Sequence, residues 1–247
     1  MRPNNLLIEK KVTSFREQNG LNSNGAIHLK SLLIKLNVIT IFKPLRNNFS
    51  GMAIKTDNFN FVLLNSNQTI GKQHFTLAHE LFHLFAQENF STMICNVGLF
   101  NSKNKIEYQA DQFAALLLMP EEGILSLIPD EEFKKDNLKI STIVKIEQFF
   151  SVSRTALLIR LKELNLLSNE MLEYYKKDVT KSAIQLGYPP DLYMSGNEGL
   201  IIGDYGERAK RLFDSEKISE SNYISLMGDL GVDIESNENF VNEQENN

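Results

Sequence analysis

Two stretches of this chain place apolar residues at helical spacing more strongly than the rest. One is Phe75-Thr76-Leu77-Ala78-His79-Glu80-Leu81-Phe82-His83-Leu84-Phe85; the other runs from Ile106 to Met119, is rich in good helix formers and is stopped by Pro120. Weaker helical patterns cover Leu6 to Gln18 and Ala26 to Leu36, with polar, glycine-containing sequence between them. Three short apolar runs, Val38 to Phe42, Gly51 to Ile54 and Phe61 to Asn65, have the β-branched character of strands, and Asp57-Asn58 supplies a turn between the last two. They predict a small antiparallel sheet, with Phe61 to Asn65 either an open edge that an extended peptide could join or a strand that closes the sheet.

Downstream the pattern is less even. Ser91 to Lys105 is a poorly patterned connection, and Glu121 to Lys135 reads as a short interrupted helix or a loop. Ile140 to Phe150 and Arg154 to Leu164 predict two helices joined by a Ser-Val-Ser turn, with Ser153 as N-cap. That geometry suggests helix-turn-helix, either touching DNA through Arg154, Arg160 and Lys162 or forming an αα-hairpin over the core. Beyond Leu167 the chain turns Gly- and Asp-rich, with helical patterns at Glu207 to Phe213 and Ile218 to Leu230. The expected architecture is α+β: residues 1–125 a unit of small sheet and helices, 126–167 a helical hairpin, helix-turn-helix-like, and 168–247 a mainly helical acidic region. Its tail, from about residue 236, lacks the apolar content to fold.

Charge sharpens this division. Residues 168–247 hold 16 acidic and 7 basic side chains, net −9, while residues 1–167 hold 15 acidic and 19 basic, net +4. An acidic region of that size repels phosphate and suits a basic protein surface, so direct DNA binding is not expected and a protein partner is. The longest apolar run, Phe113 to Met119, is too short for a bilayer, which predicts a cytoplasmic protein without membrane contact. The single Cys95 cannot form an internal disulfide and reads as a packing residue, leaving any metal site to His and carboxylates.

The chemistry lies in His79-Glu80-x-x-His83. On a helix the two imidazoles sit one turn apart and reach one metal ion, with Glu80 beside them as a general base toward a metal-held water. Two ligands leave the set incomplete, and Glu107 on the next helix is the natural third; Asp111, one turn on, can accept the free N–H of a ligating His. His74, Tyr108 and Asn65 are candidates for oxyanion or substrate contacts. These residues, with Ala110-Asp111-x-Phe113-Ala114-Ala115-x-Leu117-Leu118-Met119-Pro120 and Val152-Ser153-Arg154-x-Ala156-Leu157, resemble the ImmA/IrrE metallopeptidase family over roughly Val38 to Leu167.

The resemblance implies that residues 1–125 form a minimal zincin-like metallopeptidase domain carrying one Zn2+ per chain on His79, His83 and Glu107, with Glu80 as catalytic base. It also implies an intracellular endopeptidase that cleaves a helix-turn-helix repressor of a mobile element or a stress response. Phe82 stands where relatives often have Gly, and a bulky side chain there is expected to narrow the cleft. The alternative function is a non-catalytic zincin-fold regulator acting through protein contacts, which an intact Glu80 disfavours. A hydrolase acting on a non-protein substrate has no support beyond the shared metal motif.

Overall fold

The computed structural model of the 247-residue chain describes residues 3–46, 49–88, 90, 92–95 and 104–232. The predicted tail and the side chain of Cys95 therefore lie outside what is described. Helices α1 (Pro3–Gln18) and α2 (Leu29–Lys35) lead into strands β1 (Val38–Lys43), β2 (Gly51–Lys55) and β3 (Asn60–Asn65), followed by the long helix α3 (Ile70–Phe85). The weakly patterned connection contains a fourth strand, β4 (Thr92–Cys95), before α4 (Lys105–Leu118) and α5 (Glu121–Leu125). The hairpin α6 (Ile140–Phe150) and α7 (Arg154–Glu163) precedes α8 (Asn169–Tyr175), α9 (Val179–Gln185), β5 (Ile201–Ile202), α10 (Tyr205–Asp214) and α11 (Glu220–Asp229).

The sheet is mixed, which corrects the antiparallel expectation. Its order is β4-β2-β3-β1-β5, with β1 parallel to β3 from Val38 opposite Asn60 to Lys43 opposite Asn65, and the remaining pairs antiparallel. The chain leaves β1 and passes over the neighbouring slot to form β2, and the β2–β3 hairpin then turns back into that slot. Asn65 holds the crossing: its Oδ1 accepts from Leu45 N–H at 3.0 Å and its Nδ2 donates to the carbonyls of Arg46 at 3.1 Å and Phe49 at 2.7 Å. β3 is therefore an interior strand, and it neither forms an open edge nor closes the sheet.

Helix α3 lies on this sheet and is buried on nearly every side from Phe75 to Leu84. Close approach depends on two glycines. A Cβ on Gly51 would stand 2.8 Å from Thr76 Cγ2, and one on Gly71 would stand 2.7 Å from the Ser153 backbone nitrogen. The second contact packs the α6–α7 turn onto the first turn of α3, where Ser153 caps α7 by accepting from Ala156 N–H at 3.3 Å.

Packing crosses both boundaries expected at 125 and 167. Leu157, Leu161, Leu172 and Ile202 belong to the same apolar core as Leu64, Leu81 and Phe113, and β5 adds to the edge of β1. Two of the three basic residues once available for DNA are buried within this assembly, Arg154 at 2% and Arg160 at 7% exposure. The hairpin is a core element, because Arg154 meets the Glu147 carboxylate across the turn, with one N–O distance of 2.7 Å.

Candidate metal centre

Helical geometry fixes the first two ligands. With about 100° per residue, His79 and His83 project from neighbouring positions on one face of α3, and their Nε2 atoms lie 3.1 Å apart. Helix α4 packs across α3 through Phe82 and Phe113, whose ring centroids are 5.6 Å apart, and this brings Glu107 over the same point. Its carboxylate oxygens are 3.2 Å from His79 Nε2 and 3.5 Å from His83 Nε2. The available donor atoms of His79, His83 and Glu107 all fall within 4.8 Å of one another. Asn104 starts α4 by accepting from the Ile106 and Glu107 amides, which fixes the turn that carries Glu107.

The surroundings orient these donors as a metal would require. Asp111 accepts from His79 Nδ1–H at 2.9 Å, and Gln87 Oε1 accepts from His83 Nδ1–H at 2.5 Å, so both imidazoles keep Nε2 for the shared point. Gln87 escaped the sequence reading, although its place four residues after His83, just beyond the end of α3, was the available signal. Phe90 stacks on the His83 ring at 5.3 Å between centroids. Two nitrogens and a carboxylate, oriented from behind, form a set that zinc accepts while leaving a further position open.

Glu80 is fully buried on α3 beside His79, and its charge acts on that imidazole. The other candidates fall elsewhere. His74 sits ~140° around the helix from His79, and its Nδ1–H donates to Ser151 O at 2.8 Å, so it serves the hairpin turn. Asn65 is spent on the β1–β2 crossing, as described. Tyr108 follows Glu107 on the same turn and is partly buried. Phe82 is buried against Phe113, its ring also lies edge-on to the His83 ring at 5.5 Å between centroids, and Lys11 Nζ of α1 lies 5.6 Å from its ring centroid.

Protonation in the metal-free protein is uneven. Burial disfavours charge on His79, but hydrogen bonds to Asp111 and Glu107 and the charge of Glu80 outweigh it and hold the pKa up to about 9. Burial and the adjacent His79 charge push His83 down to about 4. At pH 7 His79 therefore carries the proton that a metal must displace. Metal affinity is expected to rise about tenfold per pH unit between these values, with roughly one proton released per ion. Calorimetry in buffers of different ionisation enthalpy measures that release, and a pH-independent affinity would contradict it.

Residues 35–162 match the family model of the IrrE N-terminal-like domain, Peptidase_M78. No curated protein is similar enough to count as a match. A solved structure of a Mycobacterium tuberculosis transcriptional regulator is similar at 14% identity and a TM-score of 0.41, over 66% of this chain and 47% of that one. The chain thus spans about half of that protein's length. Since the matched segment covers more than half of its residues and contains the whole His79, His83 and Glu107 group, this protein belongs to the IrrE N-terminal-like (Peptidase_M78) family.

Proposed function

We propose that this protein is a cytoplasmic zinc-dependent endopeptidase that hydrolyses a peptide bond in a specific regulatory protein, a helix-turn-helix repressor of a mobile element or stress response. The observation that carries this reading is the convergence of His79, His83 and Glu107 with Glu80 buried next to them on one helix. Zinc, when bound, supplies Lewis acidity that acidifies the attacking water and polarises the scissile carbonyl. The Glu80 carboxylate accepts the proton of that water and returns it to the leaving amide nitrogen, so no covalent intermediate is needed. The tetrahedral oxyanion calls for a further donor. With His74 and Asn65 bonded elsewhere, Tyr108 remains among the candidate side chains read from the sequence for that role, beside a backbone N–H.

The purified protein is expected to hold about one zinc per chain, measured by elemental analysis. Full metal retention in His79→Ala or Glu107→Ala would remove that residue from the ligand set. Among the described residues no helix is long and apolar enough to cross a membrane. Burial of Arg154 and Arg160 leaves Lys162 as the exposed basic residue of the three first assigned to DNA contact, which supports recognition through protein contacts. A mobility shift at physiological salt should show no sequence-specific duplex binding. The functional test is incubation with a small helix-turn-helix protein encoded beside this gene, with mass spectrometry of the products. An uncut repressor in the presence of the zinc-loaded protein would count against the proposal.

A further inference from the structure

The metal centre is shared between two helices, so its geometry depends on how far α3 can slide along its axis relative to α4. Helix α3 is tied by long-range hydrogen bonds at both ends. At its N-terminus the segment 194–202, outside the family-matched residues, crosses the first turn: Ile70 N–H donates to Met194 O at 2.8 Å and Thr69 pairs with Ser195. The buried Gln73 side chain continues the attachment, with Nε2 at 3.0 Å from Gly196 O and 2.7 Å from Gln68 O, while Oε1 accepts from Asn197 Nδ2 at 2.9 Å. The same segment is fixed to the sheet, since Gly199 N–H donates to Phe42 O and Phe42 N–H donates to Leu200 O, each at 3.0 Å.

At the other end two lysines from separate elements take carbonyls of the last turn. Lys55 Nζ at the end of β2 donates to Leu84 O at 2.6 Å, and Lys11 Nζ on α1 donates to Ala86 O at 2.6 Å. Carbonyls at the C-terminal end of a helix carry the negative end of its dipole, so two ammonium groups hold these two favourably. Leu84 directly follows His83, and Gln87, which orients His83, follows Ala86.

We propose that Gln73 and Asn197 at one end and Lys11 and Lys55 at the other are positioning residues that clamp α3 axially and thereby set the distances from His79 and His83 to Glu107. The inference rests on the metal-site reading above. The ligands by themselves leave α3 free to shift against α4, and a shift of one ångström is enough to spoil a ligand set that needs contacts near 2 Å. The segment 194–202 then acts as part of the metal-binding apparatus, although it contributes no ligand.

The test uses the full chain with Lys55→Met, Lys11→Met, their combination, Lys55→Arg and Asn197→Asp. The last removes the amide donor to Gln73. Zinc Kd is measured by chelator competition, the Co2+-loaded protein by visible absorption, and the metal-free protein by melting temperature and by amide hydrogen exchange along 79–84. Expected results are a zinc Kd raised about tenfold or more in the double lysine variant and in Asn197→Asp, altered Co2+ bands, faster exchange along 79–84, and recovery in Lys55→Arg. A lower melting temperature with unchanged Kd, Co2+ bands and local exchange would overturn the proposal, because it would show the bonds to be merely structural. If the double variant fails to fold, the partly exposed Asn197 and the exposed Lys55, changed singly, carry the same decision. If the wild-type protein binds no metal, the metal-site reading fails by itself, and hydrogen exchange in the metal-free protein still decides whether the clamp exists.

Discussion

Glu80→Gln is expected to keep its zinc and to lose about 10²- to 10⁴-fold in peptide hydrolysis. The substitution preserves shape at a fully buried position and leaves all three donor residues that converge within 4.8 Å in place. It removes the group able to take a proton from water. Metal content by elemental analysis and cleavage of the repressor by mass spectrometry give the two readouts. Equal cleavage by the variant would remove Glu80 from the role of base. A repressor that is bound and inactivated equally well by wild type and variant without being cut would favour the regulator reading.

The largest expected effect on stability belongs to Arg154. Its guanidinium donates to both oxygens of Glu147, to Tyr175 O at 3.1 Å and to Ser182 Oγ at 3.1 Å, and Glu147 also accepts from Tyr193 O–H. One buried pair thus joins α6, α7, α8 and α9 to the segment before β5. Arg154→Met should destabilise by about 3–5 kcal/mol, because it leaves a carboxylate in the core without its counter-charge. For a chain of this size each kcal/mol moves the melting temperature by roughly 2–4 °C, so the loss is easily measured.

The pH dependence has a definite sign. Burial holds the Glu147 pKa above its ordinary value even with Arg154 present, and Arg154 is the strongest influence in the opposite direction. Removing Arg154 raises it further, so the variant binds this proton more tightly folded than unfolded. Its stability is then greatest below the unfolded carboxylate pKa and is lost as pH rises through the folded value. The gap to wild type should narrow as pH falls from 7 to 5, and Arg154→Met combined with Glu147→Leu should recover most of the loss. A destabilisation below about 1 kcal/mol would fit an exposed, DNA-facing Arg154 and contradict the buried pair.

What the sequence determined alone is the part of the site fixed by local geometry. His79, Glu80 and His83 share one helix, and Glu107 and Asp111 share one turn of another, so spacing by itself set their relative directions. The same is true of Ser153 as N-cap and of Pro120 as a stop. Tertiary structure decided what depends on contacts between distant segments. Strand periodicity says which face of β3 is buried and nothing about which strands lie beside it, so the parallel pairing with β1 and the interior place of β3 were not readable. Arg154 and Glu147 carry charges that belong on a surface until they are seen to meet across a turn, when each makes the other's burial possible. Residues 194–202 have little periodicity of their own; their attachment to α3 comes from backbone and amide hydrogen bonds, which any sequence of similar flexibility can make and which only the folded chain brings together.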